Sequence, residues 1–286
     1  ATEAKAAAAG RTGDGKATGR GGLLPERLSL HEAVCGGDKD KEAILAMWLL
    51  RRYRWNVAAG GEAAADAHAV AKSESKKDIE AAKAFLGGRV VLFVNAISSV
   101  LRLTSVLSLL LESPSAGKVL SRVRMAGGKG AGNPGLSVDV LGLHSKMKQK
   151  DRLKRMERFR GLQHGVLVCT DIAARGLDIP DLKAVLHYQP PRSAEIFVHR
   201  SGRTARAGRH GESVAFVGPS DAGQWTKVYR AAAIGRERVS GVNVDSNQLN
   251  AARDAIRLAI DLEAKVHKLH KQSGDRSWLR RTAEEA

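Results

Sequence analysis

The sequence predicts an α/β fold: a parallel sheet with helices on both faces, a helical C-terminal tail and two Gly/Ala-rich insertions. Three observations lead there. Short apolar runs alternate with stretches of helical period along the chain. The runs are continuously apolar, as in strands buried on both faces. Clusters of turn-forming residues, glycine above all, separate them.

Taken in order, residues 1–26 are rich in Ala and Gly and read as a flexible low-complexity segment. Leu28 to Cys35 alternates loosely, as a short strand does. Asp38 offers an N-cap to a helix from Lys39 to about Arg54, with Ile44, Leu45, Trp48 and Leu49 at three- and four-residue spacing. Residues 57–75 lack apolar period and read as the first insertion. Arg89 to Val94 is a buried strand, and beyond Asn95 the residues Ile97, Val100, Leu101, Leu107, Leu110 and Leu111 follow a helical period. A Gly-rich second insertion covers 113–135.

Strand and helix then alternate at regular spacing. Val138–Leu143, Gly165–Cys169, Ala184–His187 and Ser213–Val217 read as strands. Met147–Phe159, Ser193–Arg200 and Asp221 to about Ala233 read as the helices between and after them. One domain, 27–235, is therefore expected, with a helical extension at 236–286. In that extension Gln248–His270 sets Leu249, Ile256, Ile260 and Val266 on one side, a stripe expected to pack on the domain. In open sheets of this kind functional residues lie at the carboxyl ends of the strands, and the motifs below are expected there.

Charge narrows the partners. The 286 residues carry 47 Lys and Arg against 30 Asp and Glu, a net +17. Such a balance favours a polyanionic partner, nucleic acid ahead of an anionic membrane. Aromatics are only 4%, which argues against binding by stacking bases on rings and for reading a phosphate backbone. At 43% hydrophobic residues the chain is not wholly disordered, and its apolar stretches are too short to span a membrane. Two cysteines, Cys35 and Cys169, make no disulfide framework and no zinc-binding spacing, so no metal site and a reducing compartment are expected.

Two segments carry chemistry. In His199-Arg200-Ser201-Gly202-Arg203-Thr204-Ala205-Arg206-Ala207-Gly208-Arg209, four arginines recur every third residue with no acid among them. An arbitrary basic run is usually a solvated helix face, but Gly202 and Gly208 weaken a helix by about 1 kcal/mol each. Glycines beside arginines let backbone and guanidinium approach a phosphate together, and the always-charged planar fork suits a transferring phosphoryl group. The second segment runs from Val166 through Cys169-Thr170-Asp171 to Arg175-Gly176-Leu177-Asp178. There Thr170 can offer a hydroxyl to a phosphate and Asp178 can accept from ribose hydroxyls. Taken singly, Asp171 as an N-cap and Asp178 as a turn residue are the simpler readings.

Together these segments resemble the C-terminal RecA-like domain of a DEAD-box RNA helicase. His199 to Arg206 matches the family's HRxGRxxR motif, and Thr170 to Asp178 its TDxxxRGxD motif. Val91-Leu92-Phe93-Val94-Asn95 resembles the strand motif that opens the domain, and His144 to Arg152 the HGxMxQxxR segment, with Ser145 where Gly is usual. Val185 to Pro190 fits the strand between the last two motifs. Ala205 in place of the usual Gly, and the run Tyr188 to Ile196, resemble the nucleolar subfamily acting in large-ribosomal-subunit assembly.

The resemblance implies roles. Arg203 and Arg206 are the arginine fingers, catalytic and nucleotide-binding, reaching ATP held with Mg²⁺ mainly on a first RecA-like lobe. Asp178 and Gly176 complete the nucleotide contacts, and His199 and Arg200 couple the two lobes. Thr170, Arg152, Gln149 and Asn95 hold RNA phosphates and sugars, contacts that carry affinity without sequence readout. The expected partners are pre-ribosomal RNA and that first lobe, with no DNA and no membrane, in the nucleus and nucleolus. Among the lysines and arginines of 146–160, most are expected to be solvated. His144 and His199 are expected to be structural hydrogen-bonding groups.

The N-terminal lobe is expected to be absent from these residues, because no Asp-Glu-Ala-Asp occurs in them. Thr12-Gly13-Asp14-Gly15-Lys16-Ala17, with Gly10, resembles a phosphate-binding loop, but Ala17 stands where a Ser or Thr should ligate Mg²⁺ and no apolar strand precedes it. It reads as coincidence in Gly-rich sequence, and this chain alone is expected not to hydrolyse ATP. The alternative from another class is a non-catalytic RNA-binding or ribosome-assembly clamp. Residues 144–209 hold 15 Lys and Arg against 6 Asp and Glu, so over half the excess charge sits where the contacts are expected.

Overall fold

The computed structural model describes residues 24–53, 87–111, 138–174, 179, 182–244 and 246–272. The Gly10–Ala17 segment, both insertions, Gly176 and Asp178 lie outside the described residues.

Seven parallel strands form one sheet in the order β3-β4-β2-β5-β6-β1-β7. They are β1 (Leu28–Val34), β2 (Arg89–Val94), β3 (Asp139–Leu143), β4 (Gly165–Thr170), β5 (Leu182–His187), β6 (Gly211–Val217) and β7 (Val239–Gly241). Among the described residues the α-helices are α1 (Asp40–Tyr53), α2 (Ile97–Leu111), α3 (Gln149–Gly161), α4 (Asp171–Ala174), α5 (Ala194–Ser201), α6 (Ala222–Ala231) and α7 (Ser246–Gln272). This is the α/β arrangement that the alternation of strand and helix predicts.

The apolar runs work because successive side chains of a strand point to opposite faces and both faces are covered. On β2, Val90, Leu92 and Val94 join the core under α1, α2 and α7. Val91 and Phe93 join the core under α3 and α4, where Met156 and Phe159 pack. The far end of that second face is closed by Phe197 of α5 and Trp225, Val228 and Tyr229 of α6. Each such aliphatic or aromatic side chain contributes about 1.5–3 kcal/mol on burial.

Three details differ from the sequence reading. On α2 the buried stripe includes Leu103 and Val106, while Leu101 is 56% exposed, because a covered helix turns a broader face to the sheet than a single row. Helix α1 starts at Asp40, and the Asp38 carboxylate accepts from the hydroxyl (2.9 Å) and N–H (3.3 Å) of Ser220 on the neighbouring strand-to-helix loop. Strand β7, three residues long, has no apolar run to announce it, yet it pairs in parallel with β1 at Leu30↔Val239.

The tail helix packs on the domain, with Ile256 of the expected stripe buried, Leu249 and Ile260 partly buried against the core, and the Val266 side chain outside the described residues. Ala252, Ala255, Ile256 and Ala259 are buried against the core shared by α1 and α2, the small residues letting the helices approach closely. At the amino edge of the sheet, Arg52 and Glu212 form a buried ion pair at 3.0 Å, and the Tyr53 hydroxyl donates to the Gly88 carbonyl at 2.8 Å. No helix among the described residues is long and apolar enough to cross a membrane.

Candidate functional site

At the carboxyl edge one guanidinium ties three strand ends together. Arg200, on α5, is 2% exposed. Its Nε and Nη2 donate to the two oxygens of Asp171 at 2.6 and 2.7 Å, in the fork-to-fork geometry that suits arginine. Nη1 donates to the Gln189 carbonyl at 3.1 Å, and Nη2 to Asn95 Oδ1 at 3.1 Å. The guanidinium also stands 5.0 Å from the centre of the Phe93 ring. Asp171 follows β4, Asn95 follows β2 and Gln189 follows β5, so α5 is locked to the edge that Thr170 and Asn95 occupy.

The other residues expected at this edge are brought there too. Thr170, 8% exposed, ends β4 opposite Val94. Gln149 and Arg152 lie on the first turn of α3. Arg152 donates to Gln149 Oε1 and to the Ala173 carbonyl of α4, both at 3.2 Å. The remaining cations on this helix and just before it divide. Arg155 donates to the Gly142 carbonyl at 2.6 Å and Arg158 pairs with Asp139 at 2.9 Å, while Lys146, Lys148, Lys150 and Lys154 are exposed.

Arg203 and Arg206 do not share that edge. Helix α5 has eight residues, a rise of about 12 Å, and carries the chain back across the sheet. Thr204 bridges to Leu182, the first residue of β5, and its hydroxyl donates to the Leu182 carbonyl. The arginine segment therefore lies at the amino edge, opposite to the place expected from a rule about strand ends. Arg203 is half-buried, and Arg206 is exposed with its Nε donating to the Gly202 carbonyl at 2.8 Å. The backbone here is unusual: Ala205, Ala207 and Gly208 have φ of 56°, 52° and 71°. For alanine the left-handed region costs about 1–2 kcal/mol per residue. The turn is braced by Gly211, where an added Cβ would fall 2.2 Å from Thr204 Oγ1 and 2.5 Å from the Ala205 nitrogen.

Histidines fall in different settings. His199 is exposed on α5. His144, expected as a hydrogen-bonding group, has its Nδ1 buried without a partner, and burial together with Arg155 and Lys146 lowers its pKa. His187 is fully buried, with Nε2 3.0 Å from Ser213 Oγ and its ring stacked on Phe197 at 5.1 Å. Burial first, and then the Arg200 charge, holds its pKa well below the usual 6.5. Native His187 thus stays neutral while the unfolded chain takes up a proton below about pH 6.5, so stability falls as pH drops through that value. Unfolding free energies from urea titrations at about pH 7.5 and 5.5 should decline by up to about 1.4 kcal/mol per pH unit from this group. His187→Asn should flatten that part of the slope. An equally steep decline in the variant would assign it to other groups.

Cys35 and Cys169 are buried thiols, with pKa values pushed up to about 11 and about 12 by desolvation. Among the described residues no group of three His, Cys, Asp or Glu side chains is placed to hold a metal ion. Asp171 and Gln189 hold Arg200 and Asn95 in place, contacts that the sequence reading did not assign. The signal for Asp171 was an acid beside Thr170 in a segment 29 residues from an arginine-rich one.

Residues 77–208 match the family model described as helicase conserved C-terminal domain. The fold is shared with domain 2 of the DEAD-box helicase Mss116p, solved bound to an RNA duplex (TM-score 0.52, 18% identity, covering 86% of this chain and 78% of that one). This region is the C-terminal RecA-like domain of a DEAD-box helicase. Its relatives include the ATP-dependent RNA helicase DDX24 of Mus musculus, 36% identical over 196 residues, covering 68% of this chain and 20% of that protein. The ATP-dependent RNA helicase mak5 of Schizosaccharomyces pombe is 37% identical over 150 residues, covering 52% of this chain and 23% of that protein. The chain thus spans about a fifth of the length of these relatives.

Proposed function

We propose that this chain is the second lobe of an ATP-dependent RNA helicase of ribosome assembly, working in the nucleolus on pre-ribosomal RNA. The carboxyl edge, with Thr170, Arg152, Gln149 and Asn95, holds the RNA backbone. The amino edge, with Arg203 and Arg206, meets the phosphates of ATP carried by a first RecA-like lobe, which also holds its Mg²⁺. Asp178 and Gly176 join that nucleotide surface on the strength of their motif alone. His199 faces solvent on the helix between the two edges, where a partner lobe can reach it, and Arg200 couples them from within.

One observation carries the reading: the two motif groups lie on opposite edges of one sheet, and α5 joins them through Arg200. A lobe of this form can sense nucleotide on one side and RNA on the other. The relatives named as ATP-dependent RNA helicases support the same assignment.

The test has two parts. Fluorescence anisotropy with labelled single-stranded RNA should show binding that weakens with salt and that unlabelled RNA competes for better than DNA of the same sequence. A phosphate-release assay should show turnover only after a first lobe from the same gene is joined to the chain. RNA-stimulated turnover by the 286 residues alone, at the rate of the joined protein, would overturn the division of labour.

A further inference from the structure

We propose that Gln189 and Arg200 are positioning residues for the RNA edge: Gln189 fixes the Asn95 backbone while Arg200, with the Pro190 carbonyl, holds the Asn95 carboxamide in one orientation, leaving an amide hydrogen and a carbonyl lone pair for the nucleic acid backbone. The inference rests on the reading that this edge binds RNA, and adds to it the residues that set its geometry.

Asn95 is exposed, yet both ends of its amide are engaged. Nδ2 donates to the Pro190 carbonyl at 3.0 Å, and Oδ1 accepts from Arg200 Nη2 at 3.1 Å. A flipped amide would turn its NH₂ on the guanidinium and its oxygen on a carbonyl, so these two partners select one orientation. An asparagine side chain has two N–H groups and two acceptor lone pairs, which leaves one of each for a ligand. The backbone is fixed as well, because the Asn95 N–H donates to Gln189 Oε1 at 2.7 Å.

Gln189 is itself held in place. Its carbonyl accepts from Arg200 Nη1 at 3.1 Å, so one guanidinium serves both residues. The preceding Tyr188 donates its hydroxyl to Glu42 at 3.3 Å, and Glu42 pairs with Arg102 at 2.7 Å. A chain of polar contacts thus runs from α1 and α2 through the end of β5 to Asn95 and Asp171. None of these groups must reorganise when a phosphate or a 2′-hydroxyl arrives, and geometry held in advance is where a positioning residue contributes.

Anisotropy with a labelled oligouridine, over a salt series, tests this on the full 286-residue chain. Gln189→Ala should weaken RNA binding about 2–10-fold, the worth of one hydrogen bond. It should leave the salt dependence unchanged, since no charge is lost, whereas Arg152→Ala should lower the slope by about one. In an Asn95→Ala background Gln189→Ala should add no further loss, because Gln189 acts through Asn95. If the alanine variant does not fold, Gln189→Met keeps the volume and makes the same comparison. An equal loss with and without Asn95 would overturn the proposal, as would a reduced salt slope. If Asn95→Ala and Arg152→Ala both bind as tightly as the unsubstituted chain, the RNA edge itself falls and the proposal with it.

Discussion

Arg203→Ala and Arg206→Ala should each lower RNA-stimulated ATP hydrolysis by about 10³–10⁵, once a first lobe is joined to this chain. The size follows from the work assigned to them. Phosphoryl transfer spreads charge over the moving group, and the protein contributes placement and electrostatic stabilisation rather than covalent chemistry. The backbone of the segment is locally fixed. Ala205, Ala207 and Gly208 hold left-handed backbone around Arg206, and Gly211 leaves room for the turn to press against the start of β6. Lysine should not substitute at either position, because a point charge on a flexible stem lacks the fork. RNA affinity should stay within about twofold, as the arginines lie on the edge away from Thr170 and Asn95. Single-turnover phosphate release with and without RNA separates the outcomes. A raised KM with kcat unchanged would mean that the arginines bind ATP equally in its ground and transition states and add no stabilisation specific to the transition state.

The fold was legible because a parallel sheet covered on both faces demands continuous apolar runs, and Arg89–Val94 and Gly165–Thr170 supply them with every interior position buried. Length separated strands from helices, and glycines separated the elements. Within the site the limits were physical. Arg200, Arg203, Arg206 and Arg209 recur every third residue and look equivalent along the chain, yet Arg200 is buried and Arg206 and Arg209 are exposed. What distinguishes them is Asp171, 29 residues earlier, and burial of a charge depends on a partner that periodicity does not contain. The placement of Arg203 and Arg206 was misjudged for a related reason. A rule about strand ends fits Thr170 and Asn95, which follow strands directly, but the arginines follow a helix that has already crossed to the other edge.

Asp171→Ala should destabilise the domain by about 3–5 kcal/mol, measured by urea unfolding, because it leaves the Arg200 charge buried without a counter-ion. The guanidinium would keep two neutral oxygens, the Gln189 carbonyl and Asn95 Oδ1, and the face of Phe93. None of these replaces a carboxylate bonded at 2.6 and 2.7 Å. Asp171→Asn keeps the shape and loses the charge, and should recover only part of the loss. Replacing both partners by apolar residues, Asp171→Leu with Arg200→Met, should restore most of the stability, since exchanging a buried pair for well-packed apolar groups is often neutral or better. Function should separate from stability at that point. The doubly substituted chain would fold with Asn95 unheld at one end and α5 no longer tied to β2 and β4, so it should bind RNA less tightly than its stability suggests. Joined to a first lobe, it should also hydrolyse ATP with weaker dependence on RNA. A stable double variant with full RNA-stimulated turnover would make the pair a packing device. A stable variant with turnover uncoupled from RNA would make it the joint between the two edges, and would explain why this fold keeps a buried charge pair where an apolar core would serve stability as well.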